Sequence, residues 1–356
     1  MLTSITLQNF KSFGEPQEVP LEPITVLVGP NNSGKSNLLS LGKFIRDCVA
    51  QSAPLVLNAD PLLFHRPRSG DGSLLVAWSG DAGLYYAKLE ADGKREERFR
   101  RPGLPNWKSA GEVFGSQSLP FLEGLQHLTR HGSPGGEFRP IIAPLVGSHD
   151  VKLSLDALRA DSGDANAPLG VDGSNLAAVV NRWRSGDPDR SEEFENVIRT
   201  YVPEIRRVLA PATQNGSSTH FHLEFEHNDA QKFDARHVSD GVLFFAGLVA
   251  HVIDAGDGAL ILMEEPENSI HPRRLHEVVE LFRKLVADKK CQFIIATHAP
   301  ALLDEFRDQP EAILLFRRRP NGTVVRPLTK VPELMGALEK TKPGEMLASG
   351  FFNDGF

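Results

Sequence analysis

The chain has 356 residues, of which 40% are apolar and 24% charged, and a net charge of −7. This excludes a disordered chain and a globally basic nucleic-acid binder, and leaves only a local basic patch open to nucleic acid. Its two cysteines, Cys48 and Cys291, are far apart, too few for a disulfide framework or a zinc cluster. That usage, an N-terminal stretch without signal-peptide character and the lack of a bilayer-length apolar run set the expectation of a cytoplasmic protein with no membrane partner. The length implies one large domain or two intimate ones.

In chain order, residues 2–9 alternate as a strand, followed by Asn9-Phe10-Lys11-Ser12-Phe13 and a Pro-rich turn. Ile24-Thr25-Val26-Leu27-Val28 is a buried strand, and apolar residues at helical spacing predict a helix from the mid-30s to about Ala50. Residues 58–67 read as irregular. Residues 74–78 and 84–90 pair across a Gly-containing turn, and residues 91–120 form a long surface loop that includes the Lys94–Arg101 charge run. From 121 to 209 the pattern is mainly helical, with segments at 175–183 and 192–209, the second bent or split at Pro203. Residues 221–226 alternate as a strand. The final third alternates again: helix 242–253, strand 259–263, helix 273–286, strand 291–296 and strand 312–316. Apolar strands alternating with helices imply a parallel sheet covered on both faces.

The motif that organises the chain is Gly29-Pro30-Asn31-Asn32-Ser33-Gly34-Lys35-Ser36, then Asn37, between a strand and a helix. Glycines let successive N–H groups turn towards phosphate oxygens, and the helix adds its positive end. Lys35 reaches β- and γ-phosphates and the Ser36 hydroxyl suits Mg²⁺, so ATP and Mg²⁺ are the expected cofactors. An ordinary glycine turn would not need both flanks to agree.

A phosphate loop needs partners. The strand 260–263 ends in Glu264-Glu265, placing carboxylates where open α/β sheets bind ligands, one for Mg²⁺ (Glu264, with Ser36) and one to polarise water (Glu265). The next strand ends in Ala296-Thr297-His298, whose imidazole can address a γ-phosphate. His237-Val238-Ser239-Asp240-Gly241 opens an apolar helix, where Ser239 serves as an N-cap or, if a second molecule's phosphate is brought to it, as part of an anion site.

About 230 residues separate Lys35 from Glu265, far more than in a compact P-loop GTPase. With Asn9-Phe10-Lys11-Ser12-Phe13, Val238-Ser239-Asp240-Gly241, Met263-Glu264-Glu265-Pro266-Glu267-Asn268 and Ala296-Thr297-His298-Ala299-Pro300, the chain resembles the ABC-type ATPase heads of the RecF/SMC-like and OLD-like branch of bacterial AAA ATPases. The resemblance spans most of the chain. Phe64-His65-Arg66 and residues 344–350 also look like that branch.

The resemblance implies an α/β P-loop NTPase head with an N-terminal antiparallel β subdomain and a helical insertion. It divides the chain at 1–120, 121–218, 219–330 and 331–356. It assigns Walker A to residues 29–36, with Asn37, Lys11 and Ser12 also at ATP, and Walker B to Glu264-Glu265, with Glu265 as base. The signature is then Ser239-Asp240-Gly241, acting in trans; Asn268 and His271 belong to the D-loop, and His298 is the switch histidine. It further implies an ATP-sandwich homodimer acting in DNA repair, DNA maintenance or anti-phage defence. The alternative is a weakly hydrolysing module controlling a separately encoded nuclease or toxin. Glu264 stands where transporters carry Asp, the signature lacks a Ser-Gly-Gly-Gln core, and the D-loop lacks its aspartate. The 58 residues after His298 are fewer than a nuclease domain needs, so any nuclease activity is expected from a partner. Direct DNA binding has three candidate basic runs, 94–101, 206–207 and 317–319, each read first as a solvated face.

Overall fold

In the computed structural model, residues 1–50, 73–90, 94–114, 136–163, 167–215 and 218–354 are described. The readings for 58–67, Phe64-His65-Arg66 and the start of the helical block lie outside them. The described chain divides into two compact units: Met1–Ser148 with Gly258–Leu262 and Gln292–Phe356, and His149–Asp257 with Met263–Cys291.

In the first unit every residue of the strand Ile24–Val28 is buried. It pairs in parallel with Gln292–Ala296 on one side (Leu27 opposite Ala296) and with Ile313–Arg319 on the other (Val28 opposite Leu315). Strands flanked on both sides and covered on both faces have no polar face to show, hence their unbroken apolar runs. Gly322–Pro327 adds an antiparallel edge to Ile313–Arg319, and Leu260–Glu264 lies beyond Gln292–Ala296 in the sheet order. A second, antiparallel sheet runs Gln17–Pro20, Leu2–Gln8, Leu74–Gly80, Gly83–Leu89, Arg95–Arg100, Lys108–Ser109. The helix Lys35–Ala50 contributes Leu38, Leu41, Phe44 and Ile45 to one core with Leu7, Val76, Trp78 and Leu314.

Within the stretch expected as a loop, 91–120, the described residues Arg95–Arg100 instead form a strand paired with Gly83–Leu89. Its pattern was hidden by a buried acid. Glu97 turns inward and accepts from the Tyr85 hydroxyl at 2.7 Å, so a charged residue occupies a core-facing position.

The second unit carries the helices Leu176–Gly186, Pro188–Tyr201, Asp240–Ala255 and Leu275–Lys289, and a small sheet of Lys232–Asp234, Glu224–His227 and Ile205–Leu209. The expected helix over 192–209 stops at Tyr201, because Val202 precedes a proline and leaves the helical region (φ −132°); Ile205–Leu209 is a strand. The expected strand 221–226 is two strands, Ser218–Phe221 and Glu224–His227. Asp240–Ala255 is buried continuously from Gly241 to Ile253, as its all-round apolar composition requires. No helix of the described residues is long and apolar enough to cross a membrane.

Candidate functional site

The site residues fall in both units, and each unit builds its share separately. In the first, the strand Ile24–Val28 delivers the chain into the glycine loop. At Gly29 an added Cβ would lie 2.2 Å from the Phe316 carbonyl oxygen; at Gly34 (φ +112°) it would lie 2.3 Å from Thr323 Oγ1. Both positions therefore exclude side chains. Asn32 takes a left-handed conformation (φ 62°) that Asn tolerates. Ser33 and Lys35 are buried, while Pro30, Asn31, Asn32 and Ser36 are exposed and Asn37 is half-buried. Lys35 Nζ donates to the carbonyls of Gly29 (2.7 Å) and Pro30 (3.2 Å). Its ammonium is thus held against the loop itself, where an anion would compete for it. The helix begun by Lys35 has no acid in its first turn to cancel its positive end.

Asn9-Phe10-Lys11-Ser12-Phe13 is a tight turn. Phe13 N–H donates to the Phe10 carbonyl at 2.8 Å, and Asn9 and Lys11 are both left-handed (φ 52° and 50°). The buried rings of Phe10 and Phe13 anchor it. Burial, with the Lys43 charge adding to it, holds the Lys11 ammonium below its ordinary pKa, so a nearby anion would be favoured. His298 follows the fully buried Thr297, whose Oγ1 accepts from the Ala299 N–H at 3.0 Å. It lines a cleft of about 120 Å³ with Gly29, Pro30, Phe316, Leu347 and Phe352. The first unit thereby brings His298 to the opening residues of the loop, walled by the C-terminal helices Pro343–Ala348 and Phe351–Asp354.

In the second unit Glu264 closes the strand Leu260–Glu264, with Lys152 Nζ 3.8 Å from its carboxylate. Glu265 is left-handed (φ 49°, ψ 54°), a conformation that costs a non-glycine residue roughly 1–3 kcal/mol and clusters at functional sites. Asn268 holds it twice: its N–H donates to the Glu265 carbonyl at 3.1 Å and its Nδ2 to Glu265 Oε2 at 2.8 Å. Both glutamates and Asn268 line a cleft of about 290 Å³ with Lys152, Phe244 and Met263. His271 caps a short turn, its Nδ1 accepting from the Arg273 N–H at 3.3 Å. Ser239 caps Asp240–Ala255 by accepting from the Val242 N–H at 3.4 Å, the role an N-cap serine has anywhere. Around it stand two guanidinium groups: Arg159 on Asp240 at 2.5 Å and Arg274 at 3.4 Å from Ser239 Oγ and 5.6 Å from the Phe245 ring. An added Cβ on Gly241 would lie 2.3 Å from Arg274 Nη1.

Sequence reasoning did not single out Thr323, Arg159, Arg274 or Lys152. Only Thr323 had a local signal, the Asn321-Gly322 pair that marks a hairpin turn just before it.

Two family models match the sequence: "AAA ATPase domain" over residues 1–47 and "AAA domain, putative AbiEii toxin, Type IV TA system" over residues 172–304. No curated protein matches it. Among solved structures the chain is similar to the SMC head domain from Thermotoga maritima, at 14% identity and TM-score 0.53, covering 92% of this chain and 98% of that one. It is also similar to an SMC head bound to the C-terminal winged-helix domain of ScpA, at 14% identity and TM-score 0.55, covering 91% and 97%. The fold is thus a P-loop NTPase fold of the SMC-head kind. The two AAA matches place ATPase-domain sequence at 1–47 and 172–304 on that fold, and the chain is an ATPase.

Proposed function

We propose that this head hydrolyses ATP with Mg²⁺ and dimerises around the bound nucleotides to drive a switch in DNA maintenance or anti-phage defence. One observation carries the hydrolytic reading: Glu265 is held in a strained backbone conformation with its carboxylate tied to Asn268 Nδ2 at 2.8 Å. A carboxylate kept in place at that cost suits a group that must orient and polarise water, rather than one that only closes a strand. Lys35 and the loop amides of residues 33–36 take the β- and γ-phosphates. Ser36 and Glu264 supply hard oxygen donors of the type Mg²⁺ prefers, and Ser36 is an exposed residue. Bound Mg²⁺ would supply charge neutralisation on the phosphates. His298 addresses the γ-phosphate. Ser239, Asp240 and Gly241 complete the site of a second copy, giving a two-fold dimer.

DNA contact is not part of this reading, because the basic runs are partly committed elsewhere. Arg98 pairs with Glu96, Arg206 lies 3.6 Å from Glu226, and Arg318 donates to the Ser12 carbonyl at 2.6 Å. The second reading, a slow ATPase governing a separately encoded effector, is favoured by the toxin–antitoxin wording of the model matched at 172–304.

The test is a pair of measurements on the whole chain. ATP added to Glu265→Gln is expected to raise the apparent mass in solution to that of a dimer, while Lys35→Ala stays at the monomer mass with or without ATP. A Glu265→Gln protein that binds ATP yet stays monomeric refutes the sandwich. Unaltered turnover in either variant refutes the assigned chemistry.

A further inference from the structure

We propose that Thr323, 290 positions from the loop, is a positioning residue that sets the plane of the Ser33–Gly34 peptide and so aims the Gly34 amide at bound phosphate. The inference rests on reading residues 29–36 as the nucleotide loop. Thr323 follows the Asn321-Gly322 turn on the strand Gly322–Pro327, and its N–H donates to the Ser12 carbonyl at 2.7 Å. Its Oγ1 lies 2.9 Å from the Ser33 carbonyl oxygen and 2.8 Å from Ser12 Oγ. A carbonyl only accepts, so the single Thr323 hydroxyl proton goes to Ser33, and the Ser12 hydroxyl can supply the proton of the other bond. The three residues are all buried, at 3% (Thr323), 2% (Ser33) and 8% (Ser12) exposure. A hydrogen bond there is strengthened by the low local dielectric and is costly to leave unmade.

The consequence follows from peptide geometry. In a planar trans peptide the C=O and the N–H of the next residue point in opposite directions, and the described chain has no cis bond. A Ser33 carbonyl fixed on Thr323 therefore turns the Gly34 N–H away from Thr323, to the opposite face of the loop. Glycine at 34 makes the arrangement possible, because a Cβ there would stand 2.3 Å from Thr323 Oγ1 and 2.8 Å from Ser12 Oγ. The missing side chain leaves room for two hydroxyl groups behind the loop. Without the Thr323 hydroxyl, the Ser33–Gly34 peptide loses the bond that holds its plane, and one cradle amide must be ordered by the nucleotide itself.

The experiment compares the full chain with Thr323→Val and Thr323→Ser, using a non-hydrolysable ATP analogue as the probe. Thr323→Val keeps the shape and removes the hydroxyl. It is expected to bind the analogue about tenfold more weakly, one hydrogen bond's worth, and to raise KM about tenfold with kcat little changed. Thr323→Ser restores the hydroxyl and is expected to bind like the parent. A merely structural role would lower the unfolding temperature of Thr323→Val and leave its KM in place, and that result overturns the proposal. A second measurement needs only the parent: in glycine-labelled protein the Gly34 amide resonance is expected to move on analogue binding, and an unmoved resonance overturns it equally. If the parent fails to bind the analogue, or Lys35→Ala binds it as well, the reading of the loop itself has failed instead.

Discussion

The two units hold their functional groups by different means. In the first, the groups proposed to bind phosphate are mainly backbone amides, shaped by glycines that admit no Cβ and braced by hydroxyls that are nearly inaccessible to solvent. In the second they are side chains kept in place by other side chains, many of them exposed: Lys152 is 73% exposed beside Glu264, and Asp240 is 61% exposed beside Arg159. Such surface ion pairs contribute about 0–1 kcal/mol each and are easily exchanged for other partners. The buried bonds of the first unit cost far more to break. On the proposed reading the phosphate cradle is built into the fold, whereas Glu264 and the turn at Ser239–Gly241 are flanked by exposed ion pairs that a docking partner can exchange, and Glu265 alone of that unit's groups is fixed by Asn268. This division predicts that changes in the first unit abolish binding and changes in the second spare it.

The largest effect is expected from Gly34→Ala. Its φ of +112° lies where L-residues are strained, and the new methyl would meet Thr323 Oγ1 at 2.3 Å. The loop must move, and nucleotide affinity is expected to fall by about a hundredfold or more, roughly 2.7 kcal/mol. Titration calorimetry measures it directly. Binding within about threefold of the parent would mean that the cradle is not preset by the backbone, and the contrast between the units would collapse.

An intermediate effect concerns the helix Asp240–Ala255. His251 lies 1% exposed in it, and burial, with His149 nearby, pushes its pKa down to about 3. Above pH 6.5 the ring is neutral in both native and unfolded chains and adds no pH dependence. Below that the unfolded chain gains a proton that the native chain refuses, so stability falls steadily as pH drops towards 3. At pH 5 the loss is about 2 kcal/mol, 1.5 pH steps at roughly 1.36 kcal/mol each. Hydrogen exchange of Asp240–Ala255, corrected for intrinsic rates, should show this loss between pH 8 and pH 5 in the parent and not in His251→Phe. Equal losses would place the acid sensitivity elsewhere.

How far the sequence anticipated this depends on the range of the interaction. Buried parallel strands such as Ile24–Val28 were legible because burial on both faces leaves only apolar residues. The strand–loop–helix around residues 29–36 was legible because its signal is carried by adjacent residues, and Pro203 correctly signalled a break, though the strand after it went unseen. Charged residues misled at Arg95–Arg100, where Glu97 faces inward because Tyr85, twelve residues away, offers a hydroxyl. The side-chain bonds that brace the site were out of reach: Thr323 meets Ser33 across 290 residues, and Arg274 meets Ser239 across 35. No local pattern encodes such pairs; they exist only once the fold has formed.

The smallest effect tests the second unit most finely. Asn268→Ala removes the Nδ2 bond to Glu265 Oε2 and keeps the main-chain bond that ends the turn. The left-handed backbone of Glu265 is then retained while its carboxylate is released. Turnover is expected to fall about tenfold, the worth of one charge-assisted hydrogen bond, with binding of the ATP analogue unchanged. Asn268→Asp sharpens the point, since it replaces the donor by a second carboxylate that repels that of Glu265, and its turnover is expected to fall further than that of Asn268→Ala. A parallel loss of analogue binding in either variant would show that the acidic unit also shapes the phosphate site, and that binding and hydrolysis are not divided in this way.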